Sequence, residues 1–390
     1  DYSRMLTSVE GPETCNTYNM LHLTKMLHQT SPEARFLDFY ERGLYNHILS
    51  TQNPETSGLV YFTPMRAGHY RVYSQSQTSF WCCVGSGIEN HSKYGEMIYA
   101  HSSNDLYVNL FIPSKVNWKE KNVTIIQENN FPEEAQTQFT IQSKRKTQFT
   151  LKIRFPKWVS NQRPEVMLNG KPILVPVIDG FIVINRKWKK NDKLTLKLPM
   201  QVTVEQIPDK SNYYSFLYGP IVLASKTGTE NMDGLFADDS RGGHIAHGRQ
   251  VSQRDLPIIV GDKNLIASYV QPVQGKKLTF MLLNLAPEKF ATGMELIPFN
   301  TLHESRYMLY FPFATPEEAE KISKKIEADE RERMHLESKT VDKVILGEQQ
   351  PESDHAVKYE NSQTGFVEDV QWREARGWFS YEMRNRGKQA

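Results

Sequence analysis

Apolar residues recur first at helical spacing. Within residues 19–27, Met20, Leu23 and Leu27 share a stripe flanked by Leu21 and Met26, which predicts an amphipathic helix with that stripe in the core. Ser31-Pro32 is a helix-start signal, and Phe36, Leu37, Tyr40, Leu44 and Ile48 then repeat at the same spacing. So short a connection implies an antiparallel pair. Residues 51–77 are rich in Gly, Pro, Ser and Tyr and predict a long loop, often a functional feature in a compact domain. A third helix is predicted over residues 88–99.

The period then changes to two. Leu106, Val108, Leu110 and Ile112 alternate with other residues, and short β-type runs follow at 123–127, 137–141, 149–155, 181–185, 194–198 and 202–206. Asn169-Gly170 between two apolar runs is a two-residue hairpin signal. Many short strands joined by turns point to an antiparallel sandwich, with Trp158 and Trp188 as core or lid residues rather than sugar platforms. Residues 225–254, rich in Gly, Asp and Ser, predict a long loop or a boundary; strands at 277–284 and 307–311 come after it. Thr315-Pro316-Glu317-Glu318 opens a charged helix reaching about residue 336, whose charge run reads as a solvated face. The last fifty or so residues read as the opening strands of another β unit.

Composition narrows the classes. The chain has 390 residues, 39% of them hydrophobic, which is more than one compact core usually holds. A net charge of +2, with both signs interleaved, argues against a nucleic-acid or acidic-membrane footprint. No apolar run is long enough to span a bilayer as a helix. The chain begins Asp1-Tyr2-Ser3-Arg4 without a signal-peptide pattern, as a processed form or an internal fragment would.

Candidate chemistry centres on three cysteines. Cys82 and Cys83 are adjacent in Ser79-Phe80-Trp81-Cys82-Cys83-Val84-Gly85-Ser86, and Cys15 follows Glu13 in Gly11-Pro12-Glu13-Thr14-Cys15. Three thiols and a carboxylate can form a four-coordinate soft-metal site, and an odd count leaves at least one thiol unpaired within the chain. Alternatively, the vicinal pair packs as small apolar residues and Cys15 is an unrelated core thiol. Two adjacent residues share an ion only from a helical or turn conformation, which Gly85-Ser86-Gly87 favours. Glu13 and Cys15 share one from a loop-to-helix junction, which Gly11-Pro12 marks; there the helix dipole would lower the Cys15 pKa.

These motifs, with Gly68-His69-Tyr70-Arg71-Val72-Tyr73-Ser74, Glu89-Asn90-His91, Leu217-Tyr218-Gly219-Pro220 and Gly347-Glu348-Gln349-Gln350-Pro351, resemble the β-L-arabinofuranosidase glycoside hydrolases (families 127 and 146, formerly of unknown function), most closely their gut-Bacteroides-like branch. The resemblance implies a mixed α and β multidomain fold: the C-terminal part of an (α/α)6-barrel catalytic domain over residues 1–101, a β-sandwich over 102–200, a second over 201–313, and a helix plus an incomplete β region over 314–390. It implies a zinc ion held by Glu13, Cys15, Cys82 and Cys83, with Cys82 as nucleophile and Tyr61 touching the sugar; His69 is a candidate substrate contact in the same loop. It also implies a retaining exo-acting enzyme on plant arabinofuranosyl glycans, in a periplasmic or exported location. The family's acid/base glutamate falls before Asp1, so residues 1–390 alone are expected to be nearly inactive; Glu10 is the nearest carboxylate in its place. Two other readings are a non-catalytic β-sandwich carbohydrate-binding protein and a structural zinc protein.

Overall fold

The computed structural model describes residues 3–160, 163–240, 242–367 and 370–385. After a short helix α1 (Ser3–Thr7), the long helix α2 (Thr14–Thr30) and α3 (Ala34–Gly43) form the expected pair. Helix α3 continues through a wider turn at Leu44–Ile48, so the stripe Leu37, Tyr40, Leu44 and Ile48 stays buried throughout. On α2 the expectation fails. Met20, Leu23, Met26 and Leu27 are 39%, 44%, 57% and 41% exposed, whereas Leu21, Thr24 and His28 are buried. The helix turns its Leu21 side to α3 and the sheet behind it, and no described residue covers the more apolar stripe. The third helix, α4, spans Cys82–Ser92 rather than 88–99, so both vicinal cysteines lie in its first turn.

A two-sheet sandwich follows. One sheet orders Tyr99–His101, Asp105–Val108, Thr147–Arg154, Phe181–Trp188 and Val177–Ile178; the other orders Ser114–Trp118, Val123–Asn129, Gln136–Ser143, Asp192–Lys197, Glu165–Leu168 and Lys171–Ile173. Alternating side chains from both sheets fill one core around Trp118, Phe139, Phe149 and Trp188. Asn169 and Gly170 both have positive φ (50° and 78°), as a primed hairpin turn needs. The alternation at Leu110 and Ile112 was misleading, because the strand stops at Val108. Pairing is antiparallel except between Asp105–Val108 and Thr147–Arg154.

Beyond residue 200, ten strands hydrogen-bond into one branched network. The run at 307–311 is two strands, Arg306–Met308 and Phe311–Ala314, which pair with different neighbours. Helix α5 (Ala319–Lys339) is solvated as expected except at Glu330, which is buried against Arg66. A short helix α6 (Gln349–Asp354) and a hairpin of Lys358–Val367 with Val370–Ser380 complete the described chain.

Buried polar links bind the layers together. Arg154, fully buried in the sandwich, pairs with Glu41 and with Asp38 of α3 (3.0 Å to the latter), and Trp158 Nε1 donates to Glu41 (2.7 Å). Trp188 lies in the core, its indole N–H on the Phe149 carbonyl. The 66–74 segment threads between the helices and the ten-stranded unit: Gly68 and His69 pair with Tyr307, and Tyr307 Oη donates to the Pro64 carbonyl.

Candidate metal centre

The centre is built where the entrance of α2 meets the start of α4. Pro12 and Thr14 pair with Tyr61 and Thr63 in a short extended contact (Thr63 N to Pro12 O, 3.1 Å; Thr14 N to Tyr61 O, 3.0 Å), and Thr14 Oγ1 donates to the Val60 carbonyl. Gly11 permits this approach, because a Cβ there would sit 2.1 Å from the Thr63 carbonyl oxygen. Glu13 then occupies the cap position of α2 with extended backbone, and its side chain does not cap the helix. One residue inside that helix, Cys15 points the same way, the junction geometry expected of this pair. On the facing side, helical backbone from Cys82 turns both vicinal sulfurs toward Glu13.

The ligand atoms of Glu13, Cys15, Cys82 and Cys83 all lie within 4.8 Å of one another. Glu13 Oε1 is 3.8 Å from Cys82 Sγ and 3.6 Å from Cys83 Sγ; the vicinal sulfurs are 4.0 Å apart, and Cys83 Sγ is 3.1 Å from Cys15 Sγ. Sulfurs at about 2.3 Å and an oxygen at about 2.1 Å from a tetrahedral ion would be roughly 3.6–3.8 Å apart. The cluster therefore fits such an ion with small adjustments, and all three thiols are free.

Burial raises the pKa values of the Cys83 and Cys15 thiols, and the neighbouring thiols add to the effect at Cys83. At Cys15 burial outweighs the hydrogen bonds with Ser86 and Cys83 that act to lower the value, so the expected lowering is not found. Cys83 is buried and Cys15 half-buried, whereas Cys82 is exposed.

Tyr61 forms the wall beside Cys82. Burial, and then a hydrogen bond from its hydroxyl to Cys82, hold its pKa well above the ordinary phenol range. Its ring packs on Phe62 and edges toward Trp81. His69 is 0% exposed, and its backbone serves the pairing with Tyr307. Burial and the nearby Arg66 and Arg306 lower its pKa to about 3. Glu10 bonds Ser8 through its backbone N–H. The sequence reading missed His244, whose ring lies 4.4 Å from that of Tyr61 and 5.5 Å from that of Trp81. The only cue was its place in a long Gly-rich loop.

Two family models match the front of the chain: the GH127 β-L-arabinofuranosidase catalytic domain over residues 1–96, and the GH127 β-L-arabinofuranosidase middle domain over residues 105–200. Models for domains of unknown function match residues 203–313 and 335–390. No curated protein matches by sequence. Among solved structures, a GH127 β-L-arabinofuranosidase from Geobacillus stearothermophilus is similar with a TM-score of 0.59 and 18% identity, over 79% of this chain and 52% of that one. A GH127 β-arabinofuranosidase is similar at 0.55 and 19%, over 80% and 52%. At these identities the likeness is one of fold, and the chain spans about half the length of the solved structures it matches.

Proposed function

We propose that this chain is the thiolate-bearing part of a retaining exo-β-L-arabinofuranosidase acting on plant arabinofuranosyl glycans, with Cys82 as nucleophile; the match of residues 1–96 and 105–200 to the GH127 catalytic and middle domains supports this reading. The observation that carries this reading is the one exposed sulfur in an otherwise sheltered cluster of one Glu and three Cys. A purely structural zinc site closes all four ligands off from solvent, whereas a catalytic one leaves an approach. The same cluster disfavours a purely sugar-binding sandwich, which needs no convergent thiols.

Glu13, Cys15, Cys82 and Cys83 would hold the zinc ion, which when bound supplies the positive charge that keeps sulfur deprotonated near neutral pH. Cys82 Sγ attacks the anomeric carbon as the bond to the leaving oxygen breaks, and a general acid gives that oxygen its proton. Water, deprotonated by the same group, then displaces the sulfur, and the two inversions give net retention. Tyr61 holds the sulfur from one side and presents its ring to the sugar. We place the general acid outside residues 1–390, with Glu10 as the alternative, and further helices of an (α/α)6 barrel over the exposed Met20–Leu23–Leu27 stripe, since a row of exposed apolar side chains suits a covered face.

A nitrophenyl β-L-arabinofuranoside needs little acid assistance and is the fairest substrate. Cys82→Ser in the enzyme carrying the whole catalytic domain should abolish its turnover with the fold unchanged by circular dichroism. Residues 1–390 alone should be slower than that enzyme by a factor of about 10²–10⁴, the usual worth of acid–base assistance. Turnover that survives Cys82→Ser would remove the thiolate mechanism; fast turnover by residues 1–390 alone would point to Glu10.

A further inference from the structure

Helices α2 and α4 lie side by side, joined by a row of side-chain contacts with one constant offset. Cys15 Sγ is 3.2 Å from Ser86 Oγ, the Tyr18 hydroxyl donates to Glu89, His22 Nε2 is 3.4 Å from Lys93 Nζ, and Lys25 pairs with Glu96. In every pair the partner stands 71 positions further along the chain. Steps of three, four and three trace one face of a helix. The two helices therefore run in the same direction in a single register, and the row continues past the end of α4 at Ser92. A slip of one residue would break all four contacts. Gly87 gives α4 a second seat, packed on Leu59 where a Cβ would lie 2.8 Å from a side-chain carbon.

The first rung differs from the rest because it ends on a member of the thiol cluster. The Ser86 hydroxyl also lies 3.4 Å from the Cys83 carbonyl oxygen, to which it can donate. One hydroxyl thus touches two of the four cluster residues, one from each helix. A thiolate bound to an ion accepts hydrogen bonds but has none to give, whereas a hydroxyl does both. With an ion in the cluster, Ser86 is therefore the donor to Cys15 Sγ. Partners of this kind orient the ligands they touch and are felt in metal affinity.

We propose that Ser86 is a positioning residue of the metal centre: its hydroxyl fixes the Cys15 sulfur and ties it to the backbone of Cys83, so that the register of α2 on α4 sets the spacing of the ligands. The proposal rests on the reading of Glu13, Cys15, Cys82 and Cys83 as a zinc site. It gives the weak helix formers after the vicinal cysteines separate roles, Gly87 allowing close approach to Leu59 and Ser86 serving the cluster.

The test is zinc uptake by the reduced 390-residue chain in competition with a chromophoric chelator. Ser86→Ala should bind zinc about 10-fold more weakly than wild type, the lower end of what losing such a partner costs. Ser86→Thr, which keeps the hydroxyl, should bind like wild type. Cobalt(II) in place of zinc gives a second readout, which helix packing alone does not move. A hydrogen bond lowers the energy of the sulfur lone pairs, so the thiolate-to-cobalt band should shift to longer wavelength in Ser86→Ala and stay in place in Ser86→Thr. Lys25→Met, which removes the far rung of the row, should leave that band unshifted; the same shift there as in Ser86→Ala would overturn the special role of Ser86. Should Ser86→Ala not fold, the isosteric pair Ser86→Val and Ser86→Thr decides: the proposal requires weak binding by the first and tight binding by the second, and equal affinities would overturn it. Wild-type zinc affinity and an unshifted cobalt band in Ser86→Ala would overturn the proposal and leave the zinc site standing. A wild-type chain that takes up no zinc would overturn both.

Discussion

A buried thiol resists ionisation, and two of the three here are buried or half-buried beside further sulfur. Burial alone makes Cys83 and Cys15 poor anions; a divalent ion among them would reverse that balance, since a coordinating thiol is deprotonated outright. The chain should therefore take up one zinc ion and release protons as it does so. Zinc-edge X-ray absorption should show three sulfurs at about 2.3 Å and one oxygen at about 2.0–2.2 Å. Cys15→Ala should weaken zinc by more than the roughly 10- to 100-fold typical of outer-shell partners, read by competition with a chelator. A shell without sulfur would remove the metal centre. At this scale the sequence was informative: the spacing Glu13-x-Cys15 and the vicinal pair named every member of the cluster. The burial of His69 was not legible, because a loop histidine reveals nothing about burial, and His244 was missed because its neighbours Tyr61 and Trp81 lie more than 160 positions away in sequence.

At the scale of elements, the site depends on how two helix entrances are set. Gly11 is the tightest point, since its missing Cβ makes room for the Thr63 carbonyl. Gly11→Ala should push the 60–63 segment away from Glu13 and destabilise the fold by about 1–3 kcal/mol, as overpacking does. Denaturant melts measure that loss, and zinc affinity should fall with it; an unchanged melt would show that the contact is loose. The entrance of α2 was legible because Gly-Pro before a polar cap is a local signal. The start of α4 was not: Cys82, Cys83 and Val84 have weak helical preference, and the glycines at 85 and 87 read as a turn. Tertiary contact decides there, with Gly87 packed so closely on Leu59 that a Cβ would lie 2.8 Å from it. The stripe on α2 illustrates the opposite failure. Periodicity showed a helix face but not which neighbour it meets, and Leu21 rather than Leu23 faces the core.

Across the whole molecule, buried and half-buried histidines set the response to acid. Burial first, and nearby arginines at some of them, lower the pKa values of His47, His91 and His303 to about 4 and of His69 to about 3. In the unfolded chain these groups take up protons below about pH 6.5; in the folded chain they do so only near their lowered values. Folding is thus favoured fully above about pH 6.5, and that part of the stability is lost as pH falls toward 4 and then 3. Thermal melts between pH 8 and 4 should show a Tm that holds above 6.5 and drops below it; a Tm that is flat or rises on acidification would contradict the sheltering of these rings. The order of helices, then many short strands, then a charged helix was readable from periodicity. The pairing of 307–311 into two separate strands was not, since short apolar runs carry no information about partners.

The central claim is that Cys82 attacks the sugar. Incubating the enzyme with an electrophile built on β-L-arabinofuranose and mapping the adduct by mass spectrometry tests it most directly. The account predicts one sugar-derived adduct on Cys82, with no adduct on Cys15 or Cys83 and none after Cys82→Ser. An adduct on a carboxylate, or equal labelling of all three cysteines, would contradict it.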